Sequence, residues 1–413
     1  MHNKHARGRW PVVTQMIMGA LVVFGVADVA RAQAPATGPT MDVYGFGMAD
    51  AIVDFNQNNP DWYDTLRPSR LPKSEGQFGE DGRFYLSVRQ SRFGVRSTVP
   101  TASGNITGQF EFDMFGVGAD AGLTTIRLRH AWGQYRQIGA GLTNSQFMDI
   151  DVFPNTLEYW GPNGMLFLRN TQVFWEPISN ANGSRLRVSI EAPGASGDAG
   201  VVGDRIELQN VTARFPSPDF AGHYRHAGGW GHLQVGGILR KMAWDDTLDD
   251  AFELSGDTWG WGFTVSSILK VTEGDTLRLQ ATTGEGIQNY FNDAPIDLGV
   301  QSNVGNPVTP VTGKALPIFG LSAYLDHTWS SQWTSSVGYS MVDIDNSDLQ
   351  PADAYKAGQY FSANLLHSPV QNVLMGGEFQ WAHRDNFSDG FEVDDVRLQF
   401  SFKYSFSARI GGQ

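Results

Sequence analysis

The 413-residue chain has no cysteine. That excludes a disulfide framework, thiolate metal ligands and a cysteine-borne lipid anchor, and it suits a chain that crosses an oxidising compartment before folding. Base is also in deficit: 30 Lys and Arg stand against 43 Asp and Glu, a formal charge of −13. Nucleic-acid binding needs a basic footprint and is not expected. Long apolar runs are missing after the first 26 residues, and the mean hydropathy of −0.27 would fit a soluble protein. No linker-like composition shift and no helical repeat divides the chain.

What is present opens with a leader. Lys4, Arg7 and Arg9 precede the apolar run Met16–Val26, which falls short of the roughly 20 residues a bilayer-spanning helix needs. Ala30-Arg31-Ala32 is a small-x-small cleavage site, so residues 1–32 read as a signal peptide.

The segment Asp395–Phe406 carries the strongest pattern. Val396, Leu398, Phe400, Phe402, Tyr404 and Phe406 alternate with Arg397, Gln399, Ser401, Lys403 and Ser405. A strand sends successive side chains to opposite faces, so one face is apolar and the other polar. Such alternation fits a membrane barrel, with one face in lipid and one in a wet lumen, and it escapes hydropathy scales. Similar alternation recurs in Asn105–Phe115, Thr124–Tyr135, Arg185–Ala192 and Trp259–Val265. In Thr124–Tyr135, His130 and Trp132 are expected on the lipid side with Ile126 and Leu128. Arg83–Arg96 alternates poorly, which a bulge or a neighbouring subunit would explain.

Short turn-like segments such as Pro100–Gly104 and Ser368–Asn372 alternate with longer polar stretches such as Asn56–Asp81, Met148–Gly164 and Gly284–Lys314. The expected fold is an all-β, antiparallel transmembrane barrel of sixteen strands, closed so that no backbone group is left unpaired in lipid. It should span 41–406, after a short periplasmic segment at 33–40 and before a C-terminal extension at 407–413.

At Arg89-Gln-Ser-Arg-Phe-Gly-Val95 the chain becomes similar to Gram-negative porins, and it resembles the DcaP-like family of trimeric outer-membrane porins. Tyr44-Gly-Phe46, Gly108–Asp113, Arg127–Ala131, Gly141–Asp149, Gly231–Gln234, Gly284–Gly286 and Arg397–Phe406 carry the likeness in order along nearly all the mature chain. The resemblance implies a homotrimer of sixteen-stranded barrels in a Gram-negative outer membrane, each with a loop folded into its lumen. It also implies passive uptake of small, often anionic, organic solutes. Outer-membrane lipid, lipopolysaccharide and the outer-membrane assembly machinery are the expected partners. Two departures stand out: no coiled coil precedes the barrel, and Phe406 is not the last residue.

Pore-lining basic positions are expected at Arg127, Arg129, Arg185, Arg187, Arg278, Arg384, Arg397 and Lys403, and acidic ones at Glu111, Asp113, Glu191 and Glu378. The excess of base is opposite in sign to the whole chain and points to anions or dicarboxylate-like solutes. Met148–Gly164, with Asp149, Asp151, Glu158, Tyr159 and Trp160, is the expected constriction loop. Its acids would face the basic wall and set up a transverse field. No catalytic group, metal or cofactor is expected. Asp343–Asp348 starts like a calcium loop but lacks Gly at its sixth position. A barrel-based lipase or protease, or an adhesive or structural protein, is the alternative reading.

Overall fold

The computed structural model describes residues 38–412, so the expected signal peptide lies outside the described residues. The first strands are β1 (Thr40–Asp54), β2 (Arg83–Ser87), β3 (Arg92–Thr101), β4 (Gly104–Phe115), β5 (Thr124–Tyr135), β6 (Ile138–Asn144), β7 (Arg169–Ser179) and β8 (Arg185–Glu191). Next come β9 (Gly197–Asp198), β10 (Val211–Arg214), β11 (Asp219–Gly228), β12 (Gly231–Asp246), β13 (Gly256–Lys270), β14 (Asp275–Glu285), β15 (Leu298–Ser302) and β16 (Val311–Ala315). The chain finishes with β17 (Pro317–Thr328), β18 (Trp333–Ile344), β19 (Tyr355–His367), β20 (Val373–Asn386) and β21 (Glu392–Gly411).

Sixteen of these close a ring of antiparallel neighbours. The ring runs β1, β3 to β8, β11 to β14 and β17 to β21. It shuts where β21 pairs with β1, from Thr40↔Gly411 to Asp54↔Arg397. Closure leaves no unpaired edge, the condition for strands that cross a membrane. Short turns follow β3, β5, β7, β11, β13, β17 and β19 at the end that carries both termini, and the long connections lie at the other end.

Burial inverts that of a soluble protein. On β21, Arg397 is 1% exposed whereas Phe400 is 55% exposed. The apolar stripe faces outward and the polar one inward, as the alternation requires.

Three details differ from the sequence reading. Residues 407–411 do not trail the barrel: Phe406, Ala408 and Ile410 keep the alternation, and the start of β1 needs the partner they provide. The poorly alternating stretch 83–96 is a strand broken in two, with β2 pairing the second half of β1 and β3 the first. Arg89 fills the break, its guanidinium 2.5 Å from Asp64 and donating to the Gly116 carbonyl at 2.8 Å. Finally, the β4–β5 register shifts between Glu111 and Phe112, so that Glu111 faces His130 while Phe112 faces Leu128. This bulge turns His130 and Trp132 inward, against the expectation that they meet lipid. Trp132 Nε1 donates to Gln109 Oε1 at 3.2 Å, and His130 Nδ1 lies 3.1 Å from Thr143 Oγ1.

Candidate functional site

The inner faces of β4 and β5 bring together four of the expected side chains. Arg127 Nη2 lies 2.7 Å from Asp113 Oδ2, Arg129 Nη1 lies 2.8 Å from the same oxygen, and Arg129 Nε reaches Glu111 Oε1 at 2.7 Å. Tyr159, from residues 145–168 between β6 and β7, completes the network. Its hydroxyl donates to Asp113 at 2.5 Å and accepts from Arg129 at 2.6 Å and from Arg127. Its ring stacks on Phe115 with centroids 4.3 Å apart.

The rest of that connection bonds to inward side chains around the ring. Asp149 accepts from Arg225 at 2.5 Å, Ser266 at 2.7 Å and His232 at 2.7 Å. Burial alone would raise the Asp149 carboxyl, but the His232 hydrogen bond and the Arg225 charge outweigh it and hold it at about 2. Asp151 lies 2.5 Å from Arg225, and its carbonyl accepts from Arg278. The amides of Leu157 and Glu158 donate to Glu378 at 2.7 and 3.0 Å. Gly164 donates to Ser340 Oγ at 2.8 Å. Glu158 itself accepts from the amides of Leu66, at 3.1 Å, and Gly161. Buried, with Glu378 adding to the shift, its carboxyl is pushed up to about 8. Trp160 Nε1 donates to the Asn292 carbonyl at 2.5 Å.

The remaining expected wall residues divide by partner. Arg187 pairs with Glu176, Arg278 with Asp326 at 2.6 Å, and Arg397 with Asp54 at 2.6 Å. Arg384 is buried and donates to the carbonyls of Ser69 and Asp353, each at 2.9 Å. Arg185 donates through Nε to His223 Nε2 at 3.3 Å and has no carboxylate at ion-pair distance among the described residues, and Lys403 lies over the Phe46 ring at 5.4 Å. Glu191 accepts from Ser145, the Gln146 amide and Ser189.

Sequence reading missed Arg92, Arg169 and Arg225. Arg169, the first residue of β7, has no carboxylate at ion-pair distance among the described residues; its guanidinium lies 5.0 Å from the Phe167 ring. The only signal for Arg225 is the alternation His223, Arg225 against Tyr224, His226. Among the described residues one group could hold a metal ion: His383, Asp385 and Glu392, on the outward side where β20 meets β21. It is remote from the network around Tyr159.

A closed barrel with an apolar exterior, and an interior of paired charges crossed by a connection, is the build of an outer-membrane channel of the porin class. The chain belongs to the DcaP outer membrane protein family, whose model matches residues 38–282. It is thus a porin-type protein of the Gram-negative outer membrane. The fold is similar to the outer membrane channel DcaP of Acinetobacter baumannii, with TM-score 0.71 and 21% identity over 89% of this chain and 98% of that one. It is also similar to an anion-selective porin from Comamonas acidovorans, with TM-score 0.56 and 12% identity over 89% and 100% of the two chains. OmpT of Vibrio cholerae in its trimer form follows at TM-score 0.53 and 11% identity, over 89% and 100%. No curated protein sequence matches the chain.

Proposed function

We propose that this chain is a non-enzymatic, homotrimeric porin that passes small anionic or dicarboxylate-like solutes passively, with residues 145–168 as its constriction. One observation carries the anion preference. Inward acids without a cationic partner, namely Asp50, Glu158, Glu191 and Glu378, are each no more than 2% exposed. Among the described residues, the inward bases with no carboxylate at ion-pair distance, Arg169, Arg185 and Lys403, are less deeply buried than those acids. Arg92, 3.6 Å from Glu111, keeps 25% of its side chain exposed. A solute entering the lumen therefore meets basic charge, although the chain as a whole is acidic.

The trimer reading draws support from the trimer form of the Vibrio cholerae fold relative. The outward aromatic band, including Trp259, Trp261, Phe263, Phe402 and Tyr404, suits outer-membrane lipid and lipopolysaccharide. The test is single-channel current in a planar bilayer under a KCl gradient, with the refolded mature chain. Stepwise currents in threes that reverse on the chloride side are expected. Reversal on the cation side would refute the anion preference, and silence from a correctly folded barrel would refute the channel.

A further inference from the structure

Resting on the porin reading, the structure carries the constriction beyond one loop. The first connection, residues 55–82, turns back into the lumen. Leu66 and Leu71 pack on Tyr360 and Ala382, inward residues of β19 and β20. Pro68 comes so close to the wall that a Cβ on Gly358 would sit 2.6 Å from Pro68 Cβ. The sixth connection, residues 286–316, does the same from another side: Ile287, Tyr290 and Phe291 are buried in one cluster with Phe147, Leu166 and Val342.

The sixth connection then pairs backbone to backbone with the third. Phe167 N donates to the Tyr290 carbonyl at 2.9 Å, and Asn292 N donates to the Met165 carbonyl at 2.8 Å. Asn292 Nδ2 donates to the Pro162 carbonyl at 3.0 Å.

One side chain touches all three segments. Arg67, from the first connection, is 8% exposed. Its guanidinium lies against a pair of indoles that meet edge to face with centroids 5.0 Å apart, 4.3 Å from the ring of Trp62 in its own connection and 4.3 Å from that of Trp160 in the third. It also grips Asp293 of the sixth, through Nε at 2.9 Å and Nη2 at 2.8 Å. Ser69 adds its amide at 2.8 Å and its hydroxyl at 2.5 Å to the same carboxylate. A planar cation that lies against two indoles and forks onto a carboxylate at its edge combines contacts that the compact ammonium of lysine does not reproduce together.

We infer that the first, third and sixth connections form one lumenal body that sets the pore's width, and that Arg67 is the positioning residue joining them. Arg67 acts through Trp160 and Asp293; no contact between it and a passing solute is required. The third connection then cannot relax alone, because its Trp160 is held from two sides.

The test compares wild type with Arg67→Ala, Arg67→Lys, Asp293→Asn and the double variant Arg67→Ala/Asp293→Asn, each first checked for the heat-modified mobility of a folded barrel. Unit conductance is read in planar bilayers and the size limit by swelling of liposomes in sugars of graded mass. Arg67→Ala should roughly double the conductance and admit larger sugars, because width governs passage. Arg67→Lys, which keeps the charge but loses the fork and the stack, should resemble Arg67→Ala. The double variant should go no further than Arg67→Ala, since both changes undo one joint.

Unchanged conductance and size limit in a folded Arg67→Ala barrel would overturn the inference. So would Arg67→Lys behaving as wild type, which would mean that charge alone matters. If Arg67→Ala fails to fold, the isosteric Asp293→Asn decides by the same two readings. Silence from wild type would refute the porin reading itself, a result distinct from all of these.

Discussion

The two sides of the barrel wall have opposite chemistry. From β3 to β8 the inner face carries Arg92, Arg127, Arg129, Arg169, Arg185 and Arg187. From β17 to β19, on the far side of the ring, it carries mainly hydroxyls, at Ser322, Tyr324, Ser336, Ser340, Tyr360 and Ser362, with one acid, Asp326, paired to Arg278. The neutral side is sealed: Ser340, Tyr360 and Ser362 are 0% exposed, whereas Arg127 and Arg187 keep 14% and 24% of their side chains exposed. The third connection bears on this wall through Gly164 and the first through Leu66 and Pro68, while Tyr159 reaches across to Arg127 and Arg129. Hiding a hydroxyl that finds a partner costs little, whereas hiding a guanidinium costs much unless it is paired, as Arg397 is with Asp54. On the porin function proposed above, the open path would run along the arginines that stay partly exposed. Charge placement and loop placement express the same constraint.

The largest expected break in that comparison is removal of the cover. Deleting Asn155–Trp160 takes away the Tyr159 bridge to Asp113 and the amides that bind Glu378. Unit conductance should rise more than in any point variant. An unchanged value would mean that the neutral side is not where the lumen is closed.

Next in size is removal of open charge. Arg169→Ala with Arg185→Ala deletes two bases that neutralise no carboxylate, so the KCl-gradient reversal potential should move toward the cation side. Stability should hardly change. Arg129→Ala makes the converse case. It leaves buried Glu111 and Asp113 short of a cation, and breaking a buried pair costs about 3–5 kcal/mol. Urea unfolding of the two variants in the same detergent should therefore separate them clearly. Equal destabilisation would refute the division into open and paired arginines.

Much of this was legible in the sequence where lipid enforces it. The alternation of β21 is strict because a charge on its outer face would be costly, and the strand count follows from the rhythm of such segments. Legibility fails where geometry is set by distant residues. Arg169 stands at the edge of its strand beside Asn170, with no alternation to mark its face. The bulge at Arg129 leaves no compositional trace, yet it turns Trp132 from lipid to lumen. The inward path of the first connection depends on Arg67 meeting Asp293, 226 residues away, and no local pattern announces such a contact. Arg397 and Arg384 show a subtler failure: they do point inward, but one is paired with Asp54 and both are buried, so alternation identifies the face and not the accessibility.

The smallest expected effect comes from the neutral wall. Ser340 Oγ accepts from the Gly164 amide and donates to the Leu321 carbonyl, both at 2.8 Å. Ser340→Ala leaves the Gly164 amide buried without its partner, a cost of about 1–3 kcal/mol. The third connection should loosen slightly at this one point while Glu378, Asp149 and Asp113 still hold it. Current noise in the open channel should rise, mean conductance should change little, and the reversal potential should stay fixed because no charge has moved. A shift in reversal potential as large as that of the Arg169→Ala/Arg185→Ala variant would mean that solutes pass along both walls, and the comparison would fail.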